Sequence, residues 1–192
     1  MFGRPHLSRG ARGAPARRVI RTARLALRRP EPEDIDTLAE IWGDPRVMND
    51  LGPVKDRAMS EATLARHLDY WDHGYGFWLV ERDGAPAGFA GLKPGAPDTP
   101  IEGEVEAGWM FAPAHWGQGL AQEAMAAALA WGWAHLAPPR IVAITAERNA
   151  ASRRLMARLG MAHLPELAFE HPLFAADDPL RHTVTYAIDR PA

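Results

Sequence analysis

Cysteine is absent from this 192-residue chain. That excludes disulfides, thiolate metal sites, iron–sulfur clusters and any sulfur nucleophile. It is also compatible with a reducing, cytoplasmic compartment. No apolar run reaches the ~18 residues of a membrane-spanning helix, so no membrane partner is expected. The arginines near the start lead into no apolar stretch, which argues against a secretory signal. The histidines form no H-x-x-x-H pair, and five residues separate His67 from His73, so no metal site is expected. There is no G-x-x-x-x-G-K-[ST] string, so a P-loop is excluded.

What is present is ordinary for one folded domain. Hydrophobic residues make up 47% and charged residues 24%, close to average globular usage. The net charge of −2 conceals an asymmetry. Nine arginines and no acid lie in the first 29 residues, and the remaining 13 Lys and Arg face all 24 acids, a net of −11. Residues 1–18 read as a basic, flexible arm and 19–192 as the folded domain. The arm has no interleaved aromatics for base stacking, so nucleic acid is not an expected partner.

The pattern along the chain alternates helix and strand signals. Leu25 and Leu27 alternate with small or polar residues in a first strand near 19–28. Ile35, Leu38, Ile41 and Trp42 recur at helical spacing after Glu33 and Asp34. A Gly/Pro/Asp-rich loop is expected from Gly43 to Pro53, and Ser60 is the expected N-cap of a second helix. Phe77–Glu81 and Gly88–Leu92 predict two strands joined at Asp83-Gly84, a hairpin turn signal. Glu104–Phe111 predicts a strand, Gly119–Leu136 a long Ala-rich helix and Ile141–Thr145 a short buried strand. Together these three form a βαβ unit with parallel strands. Ala150–Leu159 predicts a helix ended by Gly160, and His182–Ile188 a last strand.

The informative stretch runs from Phe111 to Ala124. A strand leads through Pro113 into Gly117 and Gly119, which open the long helix. Glycines there let backbone N–H groups approach a ligand, and the first helical turn carries unbonded N–H groups at a positive dipole end. The result is an anion site suited to phosphate. The G-x-G-x-x-G fingerprint lacks its third glycine here, so a dinucleotide site is poorly supported. From spacing alone the stretch is equally a Gly-rich turn that merely starts a helix.

Trp116-Gly-Gln-Gly-Leu-Ala121 resembles the pyrophosphate loop of the GNAT N-acetyltransferases, written Q/R-x-x-G-x-G/A. Glu106-Ala-Gly-Trp-Met-Phe-Ala-Pro113 is similar to that family's preceding strand. Asn149-Ala-Ala-Ser152 with Leu159-Gly-Met161 is similar to its N-x-x-S/A…L-G-F segment. Arg24-Leu-Ala-Leu-Arg28 and the helix from Glu33 resemble its first elements. The likeness covers about residues 21–189 and looks closest to the RimJ/RimL branch. Two departures stand out: Trp116 replaces the usual Gln or Arg, and Met156 occupies the place of a frequent tyrosine acid.

The resemblance implies a mixed α/β fold: a mostly antiparallel, twisted sheet flanked by helices, with one βαβ crossover forming the acetyl-coenzyme A site. It implies backbone contacts to the cofactor from Trp109, Met110 and Phe111. An amide near Met110 would polarise the thioester carbonyl. The pyrophosphate would rest on the loop spanning Trp116, Gly117, Gln118, Gly119, Leu120, Ala121 and Gln122. Asn149 and Ser152 would add hydrogen bonds, although Asn149 also suits a plain N-cap. Glu106 is the candidate base, with Glu104 in reserve because alternation puts both on one face. Ser152 is the candidate acid for the leaving thiolate, or else a serine satisfying its own helix.

The implied activity is direct transfer of acetyl from acetyl-coenzyme A to a primary amine, first of all a protein or peptide N-terminus. Alternatives are a small-molecule amine acceptor, or a non-catalytic acyl-coenzyme A sensor. The acidic body suits a cationic acceptor by steering, with Asp50, Asp56, Asp69 and Asp72 beside the early helices. A homodimer is compatible with the resemblance.

Overall fold

The computed structural model describes residues 19–192; the arm expected over 1–18 lies outside the described residues. The elements are β1 (Ile20–Arg21), β2 (Leu25–Arg28), α1 (Ile35–Gly43), α2 (Pro45–Met48), α3 (Arg57–Asp72), β3 (Gly76–Arg82), β4 (Ala85–Pro94), β5 (Val105–Phe111), α4 (Leu120–His135), β6 (Arg140–Ala146), α5 (Ala150–Arg158), β7 (Ala162–Glu170) and β8 (His182–Asp189). The eight strands form one sheet in the order β1-β2-β3-β4-β5-β6-β8-β7. Every neighbouring pair is antiparallel except β5 and β6, which run parallel across the α4 crossover. The mixed, mostly antiparallel sheet expected from the sequence is the one observed.

Alternation along β3 builds both faces. Trp78 and Val80 turn toward α4, while Phe77 and Leu79 turn toward α1 and α3. Trp42 on α1 meets Phe89 of β4 edge-on at 5.5 Å, inside the second layer. On the first face α4 lies close to the sheet because position 132 has no side chain. A Cβ on Gly132 would come within 2.3 Å of Leu92 Cδ1.

Several boundaries differ from the sequence reading, each for a local reason. The first strand is two short ones, because Thr22 closes a turn: its N–H donates to Leu25 O at 3.0 Å. The loop expected from Gly43 contains α2, capped by Asp44, which accepts from Arg46 N at 2.8 Å. Helix α3 starts one turn earlier than expected. Asp56, not Ser60, is its N-cap and accepts from Met59 N at 2.8 Å. Ser60 is buried, and its hydroxyl donates back to Asp56 O. Asp83 and Gly84 make the expected hairpin turn, both at positive φ. Strand β7 was not anticipated. It is an edge strand with Pro165 inside it and a register break between Leu164 and Phe169, so its alternation is broken.

Candidate functional site

The site begins where two parallel strands part. β5 pairs with β6 only at Val105–Ile141 and Glu106–Val142. Beyond that, β5 stays bonded to β4 as far as Phe111, and β6 stays bonded to β8 as far as Ala146. Each strand is therefore rigid on its outer side, and their inner edges, 107–111 and 143–146, face a gap. Unpaired strand edges offer backbone donors and acceptors to an extended ligand.

A cleft of about 980 Å³ runs from this gap to the start of α4. Trp109, Met110 and Phe111 line one wall, and Asn149, Ser152 and Leu155 the other. Trp116, Gly117, Gly119, Leu120, Ala121 and Gln122 close its far end. Gly117 and Gly119 have φ of 71° and 73°, a left-handed conformation that costs other residues about 1–2 kcal/mol. This turn aims the amides of residues 117–122 outward. None of them finds an acceptor among the described residues, and the first amide to bond is Glu123, to Gly119 O at 3.1 Å. The start of α4 therefore carries N–H groups that are unbonded among the described residues.

Arg24, which the sequence likeness assigned no task, braces the loop. Its Nη1 donates to Gln118 O at 2.9 Å, and its amide and Nε hold both oxygens of Glu123 at 2.8 and 2.6 Å. Burial pushes the Glu123 carboxyl up, but Thr22 and Arg24 together hold it below the usual carboxylate range. Its charge is thereby matched, so it does not oppose an anion at the helix start. Gln118 does not line the cleft. Its side chain donates to Ala114 O at 2.8 Å and accepts from Arg82. Trp116 donates its indole N–H to Phe111 O at 2.7 Å, which ties the loop to the end of β5.

A second cavity, of about 280 Å³, adjoins the cleft. The two share Asp50, Leu51, Trp109, Met110 and Ser152 in their walls. Glu106 lines this cavity, is buried, and is ion-paired to its cross-strand neighbour Lys93. Glu104 does not line it. That residue sits in the turn before β5, one position ahead of the paired residues, and Arg140 at the start of β6 holds its carboxylate at 2.6 Å. The two glutamates expected to share a face are therefore separated in environment.

Asn149 is the N-cap of α5: its Oδ1 accepts from Ser152 N at 3.0 Å. Ser152 is buried and borders both cavities, and its hydroxyl makes no hydrogen bond within the described residues. Met156, in the tyrosine's place, is buried in the core. Of the four aspartates beside the early helices, only Asp50 reaches the cavities, and Arg148 pairs with it at 2.9 Å. Asp56 caps α3, Asp72 pairs with Arg29 at 3.0 Å, and Asp69 lies exposed beside His73.

Residues that no sequence motif marked complete the smaller cavity. His67 is buried and its pKa falls to about 3, chiefly by desolvation, then by the charges of Lys93, Arg66 and Lys55. It is therefore neutral. Burial likewise lowers His171, against the pull of Glu106. His67 Nδ1 and Thr145 Oγ1 are buried without a hydrogen-bond partner among the described residues, an arrangement that costs about 1–3 kcal/mol per group unless something else bonds them. Only the three-dimensional meeting of α3, β4 and β6 assembles these groups, so no spacing could have shown them.

The profile described as "Acetyltransferase (GNAT) domain" matches residues 24–162. The uncharacterized protein YkkB of Bacillus subtilis is 33% identical over 157 residues, spanning 76% of this chain and 86% of that protein. An acetyltransferase from Agrobacterium tumefaciens superposes with a TM-score of 0.73 at 25% identity, over 97% of this chain and 99% of the other. RimL, a ribosomal L7/L12 alpha-N-protein acetyltransferase in complex with coenzyme A, superposes with a TM-score of 0.72 over 90% of this chain and 98% of the other. At 18% identity that likeness is one of fold. The profile match, the relative and the parted strands agree: the chain belongs to the GNAT acetyltransferase family.

Proposed function

We propose that this protein transfers acetyl from acetyl-coenzyme A directly to a primary amine, with the α-amine of a protein or peptide N-terminus as the acceptor class closest to the RimL likeness. The observation that carries the reading is the adjacency of the two cavities. A cleft with helix-start amides at one end, unbonded among the described residues, shares Met110 and Ser152 in its walls with a cavity lined by Glu106.

The residues present fit the donor. The amides of 117–122 suit its pyrophosphate, and the free inner edge of β5 suits its amide-bearing arm. When bound, acetyl-coenzyme A supplies an activated acyl group. Backbone N–H donation near Met110 would stabilise charge developing on the carbonyl oxygen. Ser152, whose hydroxyl is uncommitted, would give a proton to the departing thiolate. Asn149 orients the first turn of α5 and so places Ser152.

Glu106 would take the proton from the amine, directly or through water. The task is modest for an α-amine, whose ordinary pKa is about 7.7–8.0 against about 10.4 for lysine. With no cysteine in the chain, an acetyl group cannot rest on sulfur between two half-reactions. A cysteine-free chain also suits a reducing, cytoplasmic setting.

The test is release of free thiol from acetyl-coenzyme A across peptides and small amines. Acceptor-dependent release is expected, and Glu106→Gln should lower kcat/KM by about 10²-fold or more. Coenzyme A binding with no acceptor-dependent release, unaffected by Glu106→Gln, would instead make the chain a sensor.

A further inference from the structure

We propose that the smaller cavity binds an acceptor whose reactive amine is accompanied by a carboxylate, and that Lys55 is the residue that receives it. The inference rests on the acetyl-transfer reading and names the acceptor within it. It starts from which charges on the cavity wall are matched. Glu106 is matched by Lys93, and Asp50 by Arg148. His67 is buried and neutral. Lys55 is half-buried on the same wall, and no acid pairs with its ammonium among the described residues.

Burial disfavours the Lys55 cation, and the nearby charge of Arg66 adds to that. Both act on His67 as well. The cavity wall carries Lys55, Lys93, Asp50 and Glu106; with Lys93 taken by Glu106, and Asp50 by Arg148 from outside the wall, Lys55 is left as its unmatched charge. An anion on Lys55 would match it; a cationic acceptor such as a polyamine would be repelled by it. His67 and Thr145 line the same space, although His67 Nδ1 and Thr145 Oγ1 themselves are turned away from it, buried with no hydrogen-bond partner among the described residues. At about 280 Å³ the cavity is at the small end of ligand sites, which run from about 300 Å³ upward.

The carboxylate has two sources: the acceptor's own α-carboxylate, as in a free amino acid, or an acidic side chain at a peptide N-terminus. The experiment compares initial rates for a free amino acid, its amide, and two peptide amides beginning with Glu and with Lys. Wild type should favour a carboxylate-bearing member of one pair by about 10- to 100-fold in kcat/KM, mainly through KM. Preference within the first pair identifies the α-carboxylate; preference within the second identifies the acidic side chain.

Lys55→Gln should bring the favoured pair to within about threefold, and Lys55→Glu should invert it. Stabilisation of each variant by acetyl-coenzyme A, read by thermal shift, checks that the donor site is intact. Acetylation with no carboxylate preference in either pair, or a preference that survives Lys55→Gln, overturns the assignment and leaves acetyl transfer standing. Absence of acetyl-coenzyme A binding and of any acetylation overturns both.

Discussion

Ser152 and His67 show how differently two buried polar residues can serve one site. Ser152 borders both cavities with a hydroxyl that has no hydrogen-bond partner among the described residues, while its backbone is fixed by the Asn149 cap. Removing that hydroxyl should disturb chemistry and not the helix. Ser152→Ala is expected to lower kcat by about 10²-fold with little change in the KM for acetyl-coenzyme A. Unchanged turnover in steady-state assays would remove Ser152 from the mechanism. His67 carries a different signature. Its folded pKa is about 3 against the usual 6.5, so between these values the unfolded chain binds a proton that the folded chain does not. Stability should therefore fall as pH drops from 6.5 toward 3, by up to about 1.4 kcal/mol per pH unit from this group. Above pH 6.5 it contributes no pH dependence. Urea denaturation at pH 7 and pH 5 should show a shallower difference for His67→Gln than for wild type; equal differences would mean that His67 titrates normally.

The decisive element is the start of α4. Its loop is held by Gln118 on Ala114 O within it, and also by Arg24 from the turn before β2, by Arg82 from β3 and by Trp116 on the end of β5. These contacts thus position six amides that have no acceptor among the described residues. Gly119→Ala puts a side chain on a φ of 73° and brings a Cβ to 3.6 Å from Arg24 Nη2. The contact is tolerable and the dihedral is not, at a cost of about 1–2 kcal/mol. The KM for acetyl-coenzyme A should rise by about 5- to 30-fold with smaller effects on kcat, read from donor saturation curves. The βαβ unit around this loop was legible in the sequence, because Gly117, Gly119 and the Ala-rich helical run state their conformations locally. Strand β7 was not, because an edge strand interrupted by Pro165 keeps neither alternation nor a continuous ladder.

At the scale of the molecule, β4 and β8 each grip one strand of the opened pair, and two core layers clamp the sheet from both faces. A donor lying in the gap would bridge halves of the sheet joined there by only two residue pairs. Binding should therefore stabilise the whole domain. At about a hundred times its Kd, acetyl-coenzyme A is expected to add about 2.7 kcal/mol, seen as a raised melting temperature. No shift at saturating donor would argue against a donor site in the cleft.

Charge also changes meaning at this scale. The acidic body suggested a cationic acceptor, with four aspartates as its receivers. Three of them are spent on a helix cap, an ion pair with Arg29 and an exposed contact with His73. The fourth, Asp50, is matched by Arg148.

By itself the sequence determined what short-range chemistry can dictate. It excluded a sulfur nucleophile, placed two glycines before a long helix, marked the Asp83-Gly84 turn and put Glu106 on the strand leading to the loop. Those properties depend on backbone preferences and on neighbours a few residues away. Tertiary structure alone decided which charges are matched. Lys93 meets Glu106 only through the register of β4 on β5, and Arg148 meets Asp50 only because α5 begins beside the end of α2. It also separated Glu104 from Glu106, since the strands part just beyond Glu106 and not before it. The physical reason is common to all three. Coulombic matching and desolvation depend on distances through space, and no pattern along the chain encodes them until the sheet is assembled.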